Sequence, residues 1–106
     1  MSSGEGGSYR LTPAALQDLE HIWRYSAERW TVEHADLNVD QLVGLLENLA
    51  ATPAMAREHT EFTPTARIFV HHEHVVVFTL YDHEIVIVRL LGARQAWVSL
   101  LRTAEL

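Results

Sequence analysis

The sequence predicts an α+β domain with an N-terminal strand, an antiparallel helical hairpin, a three-stranded antiparallel meander and an optional short C-terminal helix. Two stretches with apolar residues at helical spacing occupy the first half of the chain. Three β-rich runs, separated by two short polar pieces, follow in the second half. The element order is therefore β-α-α-β-β-β.

The first helix is predicted to begin at Pro13 and to run to about Trp30. Thr12 provides a side-chain oxygen that can cap the helix, and proline suits the first helical position. Residues 9–11 form a short extended piece before it. Two rows at helical spacing make the helix amphipathic: Ala15, Leu19, Ile22 and Ser26 beside Leu16, Trp23, Ala27 and Trp30.

A second helix is predicted to follow almost without a linker, because Thr31 offers another N-terminal cap. It ends before Pro53, and residues 53–64 are predicted to be a connecting loop with two prolines. Its apolar stripe consists of Ala35, Val39, Leu42, Leu45, Leu46 and Leu49. Neither helix can cover its own stripe, so the two should pack as a hairpin against a third element.

The predicted strands cover residues 66–71, 74–81 and 84–91. Two-residue separations at 72–73 and 82–83 are typical of tight hairpins, and so predict a meander. The continuous apolar runs within the last two strands are expected for central strands that are covered on both faces. After Gly92, residues 95–104 supply the optional helix.

Composition narrows the class of protein. With 106 residues the chain fits one domain, and we expect a flexible tail at 1–8 followed by a single domain over 9–106. The net charge is −6, with eight arginines, no lysine and no cysteine. This balance disfavours phosphate-gripping nucleic-acid binders and excludes P-loop and thiolate chemistry. No run of apolar residues predicts a membrane span or a signal peptide, so we expect a cytoplasmic protein.

The segments YRLTPAALQDLEHIW, RYSAERWTVEHA, ENLAATP and ARIFVHHEHVVVFTLYDHEIVIVRLLGAR together resemble ParE toxins over residues 9–94. The resemblance implies the RelE/ParE-like fold and a toxin of a type II toxin–antitoxin system. ParE toxins inhibit DNA gyrase without being catalysts, and a ParD-like antitoxin neutralises them in a hetero-oligomer. The resemblance implies no catalytic residues, no cofactor and no metal. Direct sequence-specific nucleic-acid binding and membrane association are not expected.

Five residues are candidates for binding the target or the antitoxin: Arg67, Phe78, Arg89, Arg94 and Trp97. The meander could bring the arginines to a shared edge, where the planar guanidinium would match a carboxylate or a phosphate. The simpler alternative is that each arginine pairs with a surface carboxylate. Trp97 belongs to a terminal segment that would otherwise leave apolar side chains exposed, which is typical of a partner surface.

The chain departs from the ParE pattern at two places. Residues 77–79 are VFT where the family typically has phenylalanine-tyrosine-arginine, and residues 90–92 are LLG where the family usually has valine-leucine-histidine. Each change removes a group that can donate or accept a proton. If those groups contribute to toxicity, the chain is a weak or inactive toxin that retains antitoxin binding.

An enzymatic alternative is a ribosome-dependent messenger RNA endonuclease of the RelE type. It requires an acid, a base and a phosphate clamp at one site. His74 and His83 are predicted at opposite ends of a strand that measures about 23 Å from His74 to Tyr81 at ~3.3 Å per residue, which disfavours this alternative. His71, His72 and His74 could suggest a metal site, but their spacing is not one of the recognised zinc patterns. Exposed turn histidines are the simpler interpretation.

Overall fold

The computed structural model describes residues 8–63, 65–71, 74–82 and 84–92, and it confirms the predicted α+β fold. The elements in chain order are β1 (Ser8–Leu11), α1 (Pro13–Arg29), α2 (Val32–Ala51), a 3-10 turn (Pro53–Met55), β2 (Arg57–His59), β3 (Ala66–His71), β4 (His74–Tyr81) and β5 (Glu84–Gly92). The optional helix over 95–104 lies outside the described residues.

Both predicted helix caps are confirmed. The Thr12 hydroxyl accepts a hydrogen bond from the Ala15 N–H at 3.0 Å, and the Thr31 hydroxyl accepts one from the His34 N–H at 2.9 Å. Trp30 closes α1, and its N–H donates to the Ser26 carbonyl. Only Trp30 and Thr31 separate the helices, which fold back on each other as a hairpin. No helix in the described part of the chain is long and apolar enough to span a membrane.

The sheet has five strands in the order β1-β5-β4-β3-β2. Its centre, β3-β4-β5, is the predicted antiparallel meander. On one side β1 pairs parallel with β5, from Ser8 opposite Glu84 to Leu11 opposite Ile87. On the other side β2 pairs antiparallel with β3. The prediction that residues 53–64 form only a loop is therefore wrong at β2.

Apolar side chains are buried on both faces of the sheet. The larger core lies between the helical hairpin and one face, where Val76 and Phe78 of β4 pack with Leu46 and Leu49 of α2. The opposite face carries a second cluster that includes Val75, Val77 and Phe62 from the segment between β2 and β3. This explains the unbroken apolar run in β4, because alternate residues enter different cores.

A bulge in β5 interrupts this alternation. Val77 of β4 lies opposite Arg89, whereas the next residue, Phe78, lies opposite Ile87, so Val88 is an extra residue. Strict alternation from Ile87 would direct Arg89 into the core beneath the helices. Because of the bulge, Leu90 occupies that core instead. The Arg89 side chain therefore lies outside that core.

Gly44 occupies an interior position of α2, and a Cβ atom built there meets no atom within 4 Å. Glycine costs a helix about 0.5–1 kcal/mol relative to alanine through the conformational entropy of the unfolded chain. We therefore expect Gly44→Ala to raise the free energy of unfolding by about that amount, measured by urea denaturation. A loss of stability would show that the backbone at this position is not ordinary α-helix.

Candidate functional site

Arg89 is held by Asp18 of α1 through both branches of its guanidinium. Its Nε donates to Asp18 Oδ2 at 2.7 Å, and its Nη2 donates to Asp18 Oδ1 at 2.9 Å. The backbone N–H of Leu90 donates to the same Oδ2 at 2.9 Å. The hydrogen bond to Asp18 raises the pKa of Arg89, against the opposing effect of burial. The arginine therefore stays charged, with its planar fork occupied by a carboxylate.

The start of α1 takes the place of a neighbouring strand along the end of β5. β1 stops opposite Ile87, and the Thr12 N–H then donates to the Ile87 carbonyl at 3.0 Å. The Thr12 hydroxyl donates to the Val88 carbonyl at 2.9 Å, and Asp18 receives the Leu90 N–H one step further on. These bonds satisfy backbone groups that the end of β1 would leave unpaired. They also fix α1 relative to the last strand.

A groove of about 930 Å³ opens between the helical hairpin and the end of the sheet that carries His71 of β3 and His74 of β4. Both helices contribute walls, and the ends of β3, β4 and β5 form the floor. Its polar and aromatic lining comprises Asp18, His21, Tyr25, Ser26 and Arg29 of α1, Trp30 of the interhelical turn, His34, Asn38 and Gln41 of α2, and His71, His74 and Arg89 of the sheet. A concave surface of this kind is the expected form of a binding site.

The groove is locally basic within an acidic chain. Asp18 is the carboxylate among its described lining residues, and Arg89 already neutralises it. Arg29 adds a second guanidinium, and four histidines offer further N–H donors. The whole chain carries −6, so this surface has the opposite character to the average surface. It suits an acidic ligand.

The structure separates the predicted arginine candidates. Arg67 on β3 donates through Nη1 to the carbonyl of Ala56 at 3.1 Å, whereas Arg89 on β5 is bound to Asp18. The strand β4 lies between them. They do not form a shared clamp, and Arg89 follows the simpler expectation of pairing with a carboxylate. Arg94 lies outside the described residues.

Phe78 is fully buried in the core beneath the helices. The ring packs in this core and is not exposed to a partner in this conformation, and a contact role for Phe78 stays a prediction. Trp97 lies outside the described residues.

His71 and His74 were expected to be exposed turn histidines, but the structure places them at the ends of β3 and β4, where both are partly buried. His71 and His74 are opposite each other in the β3-β4 ladder, and both line the groove together with His21 and His34. His72 and His83 lie outside the described residues. Within the described part of the chain, no three histidine or carboxylate side chains come together as a metal site requires.

Several lining residues were not among the sequence candidates, although their spacing contained the signal. Asp18, His21, Tyr25 and Arg29 follow each other at intervals of three or four residues along α1. Such residues share one flank of a helix. A polar flank beside an apolar stripe is usually a solvated surface, so the spacing alone gave no reason to place these residues in a groove.

Comparison with known proteins agrees with the fold and the element order. Residues 9–97 match the family model described as ParE toxin of type II toxin-antitoxin system, parDE. The chain is 34% identical over 70 residues to Toxin ParE1 of Caulobacter vibrioides, which covers 66% of this chain and 73% of that protein. It is 31% identical over 87 residues to Toxin ParE1 of Mycobacterium tuberculosis, covering 81% and 89%.

A solved structure titled Chromosomal ParDE TA system from P. aeruginosa contains a chain with the same fold. The TM-score is 0.71 at 20% sequence identity, and the match covers 84% of this chain and 98% of that one. At 20% sequence identity this likeness shows the fold alone.

Proposed function

Because the chain belongs to the ParE toxin family of type II toxin–antitoxin systems, we propose that it inhibits DNA gyrase and that a ParD-like antitoxin neutralises it. The antitoxin would bind in the groove between the helical hairpin and the sheet, forming a hetero-complex. The observation that carries this proposal is the groove itself, a large concave surface with basic and aromatic lining in a chain of net charge −6.

We propose further that inhibition is by binding rather than by catalysis. Arg89 is not available as a phosphate clamp, because its guanidinium fork is filled by both oxygens of Asp18. The Arg67 guanidinium donates to the Ala56 carbonyl, which follows the 3-10 turn and precedes β2. A scissile phosphate would have to displace a carboxylate before Arg89 could stabilise it.

The runner-up is RNA cleavage of the RelE type, and one observation favours it. The groove brings His21, His34, His71 and His74 to one surface, whereas from the sequence His74 was considered for this reaction only together with His83. Imidazole can act as a general acid or base near neutral pH. Messenger RNA cleavage on translating ribosomes, lost in histidine variants of the groove, would establish this alternative.

The glycine at position 92 bears on whether the toxin is active. Gly92 lies opposite His74 in the β4-β5 ladder, and both residues line the groove. An imidazole is therefore present beside the position where ParE toxins usually have histidine. We propose that His74 supplies the missing group, so the departure at 92 does not by itself inactivate the chain.

Expression of the chain from an inducible promoter, in a host with a sensitive gyrase, tests these proposals. We expect growth to stop on induction and to resume when the product of the adjoining reading frame is co-expressed. A His74→Ala variant should be less toxic than the wild type at equal expression. Normal growth on wild-type induction would contradict the proposed inhibition of gyrase and would favour a degenerate toxin.

A further inference from the structure

Four exposed side chains near the tip of the helical hairpin form an aromatic cluster with a guanidinium at its centre (Tyr25, Arg29, Trp30 and His34). The Arg29 Cζ lies 5.8 Å from the centroid of the Tyr25 ring and 6.0 Å from that of Trp30. The Trp30 and His34 rings are 5.5 Å apart between centroids. Tyr25 and Trp30 are nevertheless 58% and 61% exposed. All four side chains line the groove.

The backbone around the aromatic cluster is fixed on both sides of the interhelical turn. The N–H of Trp30 donates to the Ser26 carbonyl at 2.8 Å, which closes α1. The Thr31 hydroxyl accepts from the His34 N–H at 2.9 Å, which starts α2. Ser26 itself accepts from the Asn38 side chain at 3.1 Å, which joins the two helices. Binding of a partner here therefore costs the hairpin little backbone conformational freedom.

The residue types of the aromatic cluster indicate a protein partner. Tryptophan, tyrosine and arginine are the residue types that dominate binding energy at protein interfaces. Among the described residues, no carboxylate forms a salt bridge with Arg29. Its charge is held over two rings, and the groove beside it carries Arg89 with a carboxylate already engaged. An acidic segment would meet a cation here without a competing carboxylate.

We propose that the aromatic cluster is the anchoring surface for the antitoxin, and that the antitoxin segment which it binds is acidic. A carboxylate of that segment pairs with Arg29, and an apolar side chain packs on Trp30. The proposal rests on the function proposed above and deepens it by naming the residues and the partner chemistry. The overall charge of −6 disfavours nucleic acid as the occupant.

Isothermal titration calorimetry with the purified product of the adjoining reading frame tests the proposal. We expect Trp30→Ala and Arg29→Glu each to weaken binding by about tenfold or more. Arg24→Glu is the matched control, since Arg24 is exposed on the same helix and does not line the groove. It should change the Kd by less than about threefold. Circular dichroism verifies that all three variants fold.

Salt dependence separates the acidic character of the partner from simple apolar packing. Raising NaCl from about 50 mM to about 500 mM should weaken the wild-type complex and should weaken the Arg29→Glu complex much less. A wild-type Kd that does not respond to salt would overturn the acidic segment. Variants at Arg29 and Trp30 that bind like Arg24→Glu would overturn the anchoring surface while leaving antitoxin binding intact. Absence of binding by the wild-type chain would overturn the proposed antitoxin function together with this inference.

Discussion

Phe78→Ala is expected to lower the free energy of unfolding by about 3–5 kcal/mol. Phe78 is fully buried at the centre of β4, where its ring packs in the core between the sheet and the helical hairpin. Alanine would leave a cavity bounded by both layers, and neighbours in a close-packed core relax only partly into such a space. Urea denaturation followed by circular dichroism measures the loss.

Leu80→Ala is the matched control for Phe78→Ala. Leu80 lies two residues further along the same strand but is 49% exposed, so its truncation should cost less than about 1.5 kcal/mol. Phe78→Leu, which retains most of the apolar volume, should bind the antitoxin with the wild-type Kd. A Phe78→Ala protein as stable as the wild type would contradict the packing role. Weakened antitoxin binding by Phe78→Leu would support the contact role that the sequence suggested.

Asp18→Asn is expected to lower the free energy of unfolding by about 2–3 kcal/mol. The carboxylate accepts three hydrogen bonds, two from Arg89 and one from the Leu90 N–H. An asparagine oxygen cannot hold both branches of the guanidinium, and its NH₂ group faces another donor. The side chains of Arg89 and Asp18 are 35% and 15% exposed, so water offsets part of the loss and the effect falls below that of a fully buried pair.

Asp40→Asn provides the comparison, because Asp40 is exposed on α2. We expect its effect to lie within about 0.5 kcal/mol of zero. Arg89→Lys should fall between the two, since lysine retains the charge but loses the fork geometry. If Asp18→Asn were as stable as Asp40→Asn, the contact between α1 and the end of β5 would contribute little to the fold.

Local patterns in the sequence were sufficient for the helices and the meander. Thr12 and Thr31 cap their helices as predicted, because a cap depends on neighbours within three residues. The two-residue separations between strands likewise fixed the order of β3, β4 and β5. In the second turn Asp82 adopts a φ of 57°, a left-handed conformation that aspartate tolerates better than most residues.

The outer strands could not be predicted in the same way. β2 consists of Arg57, Glu58 and His59, which show no apolar alternation, so its pairing with β3 arises from tertiary contact. The parallel pairing of β1 with β5 joins residues 76 positions apart, and no local pattern encodes that register.

The bulge at Val88 corresponds to a break in the apolar alternation of the sequence, which can be interpreted only with the structure. Ile85 and Ile87 alternate toward the core, and Arg89 then occupies the position where the next apolar residue would be expected. Its partner Asp18 lies 71 positions away, so the pair could not be assigned from spacing. For the same reason most of the residues that line the groove were not predicted, since they belong to five elements.

The gyrase cleavage assay is the most direct test of the proposed function. Purified chain is incubated with DNA gyrase and supercoiled plasmid, the reaction is stopped with detergent, and linear DNA is quantified on a gel. We predict that linear DNA accumulates with increasing chain and that prior addition of the antitoxin prevents it. Linear DNA that never exceeds the level with gyrase alone, even at a large excess of chain, would contradict the account.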